Sequence, residues 1–248
     1  MKAFFILWRK ELSSYFLSPI AYVVMMFFLA VMGVSFSLLV SVLASGPVGV
    51  TVMKELFSSI FFWIAMLIVV PVLTMRLFAE EKRSGTIETL MTAPVTDTAV
   101  VLAKYAGAMT FFVILWLPTA SYAYILKAFS PLTAPVDLGP MLGGYVGAFL
   151  VGAMYVAIGL FCSSMTSNQI VAAIMCFAMT CAAFFAGFIP YLARSEFLRE
   201  FGGYVSSISH MIDFSRGAVD TRPVVFCLTV SALMLFATIK VIESRKWK

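Results

Sequence analysis

The chain has 248 residues, 62% of them hydrophobic and only 12% charged, with a mean hydropathy of +1.02. A water-soluble domain carries about 25% charged residues, so this composition excludes one and makes lipid the main solvent. The net charge of +5 follows from the placement of basic residues about a membrane, described below, and points to no nucleic-acid surface.

Residues 2–17 predict an amphipathic interfacial helix. Phe4, Phe5, Leu7, Trp8, Leu12, Tyr15 and Phe16 supply its apolar face, while Lys2, Arg9, Lys10 and Glu11 stay near headgroups. Ser18-Pro19 then turns the chain into the membrane, proline being well tolerated at a first helical position. Six apolar runs follow, at residues 19–43, 57–78, 99–126, 139–162, 169–190 and 224–242. Each approaches or exceeds the roughly 20 residues that cross about 30 Å of hydrocarbon. The first run is about twice as long as the core of a signal peptide, and five more spans come after it. The expected fold is all-α: one polytopic membrane domain over residues 1–248, with six transmembrane helices, the N-terminal amphipathic helix and a short cytoplasmic helix.

That short helix falls in Ala79–Pro94, a polar segment wedged between the second and third runs. Ser84-Gly85 reads as a helix start, Glu88 then lies in the first turn where a negative charge suits the helix dipole, and Ala93-Pro94 ends it. Leu90 and Met91 have no core of their own there; a partner's groove would bury them for about 1.5–3 kcal/mol each. The plainer alternative is that Glu80, Glu81, Lys82 and Arg83 solvate a turn.

The fourth run carries Gly139, Gly143 and Gly147 at four-residue spacing, with Gly144, Ala148 and Gly152 in a parallel row. Small residues so spaced let helix backbones approach closely, within one chain or between two. Ser163–Asn168 reads as a short uncharged loop. In the outer stretch, residues 191–223, Tyr204, Ile208, Met211, Ile212 and Ser215 share one helical face. Ser206, Ser207, His210, Asp213 and Arg216 share the other, which predicts a short helix lying in the outer interface or re-entering between spans, its polar face solvated.

With both termini cytoplasmic, 11 of the 17 basic residues fall on the inner side, the orientation that positive charge near short loops favours. The chain contains no Gly-rich phosphate loop ending in Gly-Lys-Ser/Thr, so ATP hydrolysis would have to reside in another polypeptide. Ser209, His210 and Asp213 sit on one short helix and cannot readily form a triad, whose members come from separate elements. Cys162, Cys176, Cys181 and Cys227 form no C-x-x-C and read as packing residues; no metal site is expected. The hydrocarbon-depth part of the spans holds no ionisable residue, since Arg76, Lys104, Lys127 and Lys240 lie near span ends and snorkel. Ion-coupled carriers keep charges near the midplane, so the energy for transport must enter elsewhere.

The order of acidic pair, basic pair, Ser-Gly-Thr, Glu, Leu-Met and Ala-Pro over residues 80–94 resembles the cytoplasmic loop of type-2 ABC transporter permeases. The N-terminal helix, the run His210–Asp220 with Asp213, Arg216 and Asp220, and the basic C-terminal ending resemble that family as well. The resemblance implies the permease subunit of an exporter in a bacterial cytoplasmic membrane. Glu80, Glu81, Lys82, Arg83, Ser84, Gly85, Thr86, Glu88, Leu90, Met91 and Pro94 would couple it to a separate ATP-binding cassette ATPase, which holds ATP and Mg2+. It also implies a second copy, or a related permease, beside the first. The compact permeases of gliding motility and of nitrous oxide reductase maturation are the most similar subgroup. The alternative is a membrane scaffold that passes ATPase motion to a periplasmic or motility partner without a continuous pathway. The 16 methionines lie mostly scattered along spans and support a copper path only weakly.

Overall fold

Capping side chains and prolines punctuate the apolar runs. The computed structural model describes residues 2–44, 52–87, 95–129, 138–193, 195–217 and 220–244. Among these it forms α1 (Lys2–Leu17), α2 (Pro19–Ala44), α3 (Val52–Ser58), α4 (Ile60–Thr74), α5 (Arg76–Arg83), α6 (Asp97–Trp116) and α7 (Ala120–Phe129). Then follow α8 (Leu138–Met165), α9 (Gln169–Phe185), α10 (Ile189–Leu192), α11 (Glu196–Val205), α12 (Ser207–Ser215) and α13 (Thr221–Glu243). Helix starts carry side-chain oxygens that accept from the first turn: Ser59 from the Phe62 amide, Thr96 from Ala99, Asn168 from Ile170 and Asp220 from Arg222. Pro118 tightens Leu117–Thr119 into a 3-10 turn between α6 and α7.

Six stretches are long and apolar enough to cross a membrane: Pro19–Val42, Ile60–Arg83, Asp97–Ala128, Leu138–Met165, Gln169–Phe188 and Thr221–Glu243. The all-α, six-span architecture read from the sequence is borne out. The second span differs in its ends. It is preceded by the separate helix α3, and it runs on to Arg83, so the charged residues 80–83 extend the span. The fourth span also continues to Met165, which makes Ser163 and Ser164 buried helical residues and not the start of a loop.

The fourth span, α8, is the hub: 83% of its most apolar stretch is buried, against 22% for the first and last spans. It packs against α3, α4, α5, α6, α9, α12 and α13. Lipid is as apolar as leucine, so close packing has to supply the helix association. Glycine sockets on α8 provide it. A Cβ at Gly144 would overlap the Phe57 ring, and one at Gly152 the Phe112 ring. Gly147 lies against Phe214, where a Cβ would stand 2.8 Å from the Phe214 Cβ. A Cβ at Gly143 would overlap the Phe214 carbonyl oxygen. Phe57 further meets Tyr145 at 5.1 Å, Phe62 at 6.0 Å and Trp116 at 6.1 Å between ring centroids, an aromatic knot joining α3, α4, α6 and α8.

Candidate functional site

With an even number of crossings, both termini and the segment after the second span share one end of the bundle, here called the terminal end. The second span changes character as it reaches that end. Pro71 has no amide hydrogen, and α4 closes at Thr74 with the Met75 amide bonded to the Pro71 carbonyl at 2.9 Å. In an uninterrupted helix the Phe78 and Ala79 amides would bond the Thr74 and Met75 carbonyls. Both instead donate to the Ser163 hydroxyl of α8, at 3.0 and 3.1 Å, and that hydroxyl donates to the Met75 carbonyl at 2.9 Å. One side chain of the fourth span is thus inserted into the hydrogen-bond ladder of the second. The Lys82 ammonium adds a bond to the Ser164 carbonyl. Thr74 seats in Gly159 of α8, where a Cβ would lie 2.7 Å from the Thr74 Cβ. Ser163→Ala should strand the two buried amides and cost about 1–3 kcal/mol. Thermal unfolding in detergent and faster hydrogen exchange at Phe78 and Ala79 would read this.

One turn beyond, Glu81 points inward. Lys104 of α6 holds Glu81 and Glu11 of α1 together, its ammonium 2.8 Å from an oxygen of each. Lys104 is only 3% exposed and lies 5.2 Å from the centre of the Phe78 ring. It does not snorkel to water: its counter-charges come to it. The cluster draws α1 into the protein. Trp8 donates its indole hydrogen to Thr110 at 3.1 Å, and Tyr15 donates to the Leu73 carbonyl at 2.9 Å while stacking on Phe111. Glu11, read from sequence as a headgroup-facing residue, therefore belongs to this interior cluster.

The remaining segment residues stay outside. Glu80, Arg83, Ser84, Gly85 and Thr86 are exposed, and Lys82 is half-buried. Ser84 caps the end of α5, its amide and hydroxyl both reaching the Glu80 carbonyl at 2.9 Å, and Gly85 follows with φ +72°. Ser84-Gly85 therefore ends one helix, and helical conformation resumes at Thr86 and Ile87. Glu88, Leu90, Met91 and Pro94 lie outside the described residues.

At the far end, the helix expected over residues 204–216 exists as α12, but its polar face is not solvated. Ser206, Ser207 and His210 are buried, Asp213 is half-buried, and only Arg216 and Asp220 stand exposed. The space is made by Gly143 and Gly147, which admit Phe214 of α12 against α8. Burial pushes the His210 imidazole below its ordinary range, and its Nε2 bonds the Tyr204 carbonyl at 2.9 Å. Ser209 donates to Ser206, so no Ser-His-Asp relay forms. The glycine row is engaged within the chain at Gly143, Gly144, Gly147, Ala148 and Gly152, whereas Gly139 faces open space.

Sequence reasoning passed over Lys104, Glu11, Ser163 and Thr74. Lys104 left a readable signal: a lysine two turns inside an apolar helix requires a counter-charge, and few acids were free to supply one. Ser163 left none, since a serine in a Ser/Thr-rich stretch at a span end reads as loop. Residues 50–239 match the model of the family described as ABC-2 family transporter protein. No curated protein matches the chain.

Proposed function

The chain belongs to the ABC-2 family of transporter proteins, and from that premise we propose that it is the permease subunit of an ATP-driven exporter in a bacterial inner membrane. In this reading both termini are cytoplasmic, a second permease copy or a related one completes the pathway, and ATP with Mg2+ is bound by a separate ATP-binding cassette subunit. It is grouped in this reading with the compact permeases of gliding motility and nitrous oxide reductase maturation. The ATPase docks on the segment Glu80–Pro94, of which Glu80, Arg83, Ser84, Gly85 and Thr86 stand exposed.

The observation that carries this reading is the Lys104 cluster. A push on the exposed end of α5 moves Glu81, and Glu81 shares Lys104 with Glu11. Displacement therefore reaches α1 and the third span at once, while Ser163 passes it to the fourth span. Closure of the ATPase pair on ATP would supply the push, and its opening after hydrolysis the return.

Co-purification from the native membrane should recover an ATP-binding cassette protein. Gly85→Pro tests the docking segment, because proline holds φ near −65° and cannot adopt the +72° found at Gly85. This variant should insert normally yet lose several-fold of the ATPase stimulation that the permease gives its partner. Undiminished stimulation in Gly85→Pro, or full transport by the chain alone in liposomes, would end the proposal.

A further inference from the structure

At the terminal end a cleft of about 500 Å³ opens between α1 and α5. Lys10, Ser13, Ser14 and Leu17 line it from α1, at the i, i+3, i+4, i+7 spacing of one helical stripe. Arg76 and Glu80, one turn apart, line it from α5, and Ser18 closes the floor. The Arg76 guanidinium is oriented from below by a 2.6 Å bond to the Ser18 hydroxyl and by the Tyr15 ring, 5.0 Å from its carbon. Among the described residues, no carboxylate pairs with Arg76 or Lys10, and no cation pairs with Glu80. Arg76 is half-buried, and a partly desolvated guanidinium without an anion is an incomplete arrangement.

The level of the cleft identifies the missing anion. Ser18-Pro19 is where the chain enters the first span, and Leu17 beside it is 83% exposed. The cleft therefore sits at headgroup depth, with an apolar side chain at the edge where hydrocarbon begins. It offers two cations, one carboxylate and a row of hydroxyls. We infer that it binds a membrane phospholipid whose headgroup carries a primary amine. The phosphate lies between Arg76 and Lys10, the ammonium donates to Glu80, Ser14 donates to an ester oxygen, and an acyl chain runs past Leu17. A quaternary ammonium cannot donate a hydrogen bond, and a glycerol headgroup brings no positive charge to Glu80. The site thus distinguishes phosphatidylethanolamine from phosphatidylcholine and from phosphatidylglycerol. The cleft shares Glu80 with the proposed docking segment, but lipid binding by this chain needs no ATPase, so the inference survives that reading's failure.

Delipidated full-length protein in detergent would be titrated with mixed micelles of each of the three lipids, and affinity read from thermal stabilisation. Phosphatidylethanolamine should bind about tenfold more tightly than phosphatidylcholine, the effect of one charge-assisted hydrogen bond. Lys10→Gln, at an exposed position where the fold is not at stake, should weaken all three lipids, as should Arg76→Gln. Glu80→Gln should abolish only the preference for the amine. Equal affinity for the three lipids, or wild-type affinity in Lys10→Gln and Arg76→Gln, would overturn the assignment. So would displacement of the lipid by millimolar inorganic phosphate, which would mark a soluble anion as the ligand.

Discussion

Replacing Lys104 with methionine is expected to cost about 3–5 kcal/mol of folding free energy, because it leaves Glu11 and Glu81 face to face in a largely buried site with no cation between them. Methionine preserves most of the length and the contact with Phe78, so the loss is one of charge and not of volume. Thermal or denaturant unfolding in detergent measures it. The sign of the effect should reverse with the partners: adding Glu11→Gln and Glu81→Gln to Lys104→Met removes the stranded charges and should restore most of the lost stability. A single variant as stable as the parent would show that water, and not Lys104, neutralises these carboxylates. Because the three residues lie on α1, α5 and α6, the same substitution should also loosen α1, visible as easier proteolysis after Lys10.

Gly143→Ala and Gly139→Ala should part company although they stand one turn apart on the same face of α8. At Gly143 the new methyl meets the Phe214 backbone carbonyl, which cannot swing aside as a side-chain tip can. Overpacking of this kind costs about 1–3 kcal/mol, and here the upper end is expected. At Gly139 nothing stands within 4 Å, and alanine is the better helix former, so that variant should match or slightly exceed the parent. A paired melting comparison in one detergent decides it. Equal destabilisation by both would mean that the row serves a contact between copies of the chain.

The six spans were legible because a hydrophobic run of about 20 residues is a statement about length and composition, and neither depends on tertiary partners. The end of the second span was not. Glu80–Arg83 reads as loop on polarity alone, and the helix persists there because Lys104, 23 residues beyond Glu81, and Ser163, 84 residues beyond Ala79, receive its polar groups. Periodicity likewise gave the polar face of α12 to water, whereas Met211 and Ser215 on one face and Ser207 and His210 on the other are all buried. How much of a short helix turns inward depends on whether a socket exists to receive it, and the socket for Phe214 belongs to α8. The glycine row was visible as a pattern. Its occupants, Phe57, Phe112 and Phe214, come from three distant elements and could not be paired with it from spacing.

These sockets have a consequence for how the molecule can change over generations. Each ring is matched to the absence of a single methyl group on α8, so an enlarged socket-lining residue is tolerated only if the ring opposite shrinks in the same step. Most one-letter routes to a differently packed bundle therefore pass through a poorly fitting ancestor. The hub and the aromatics that clasp it are bound to vary as matched sets, while the lipid-facing flanks of the first, fifth and sixth spans are free to vary singly.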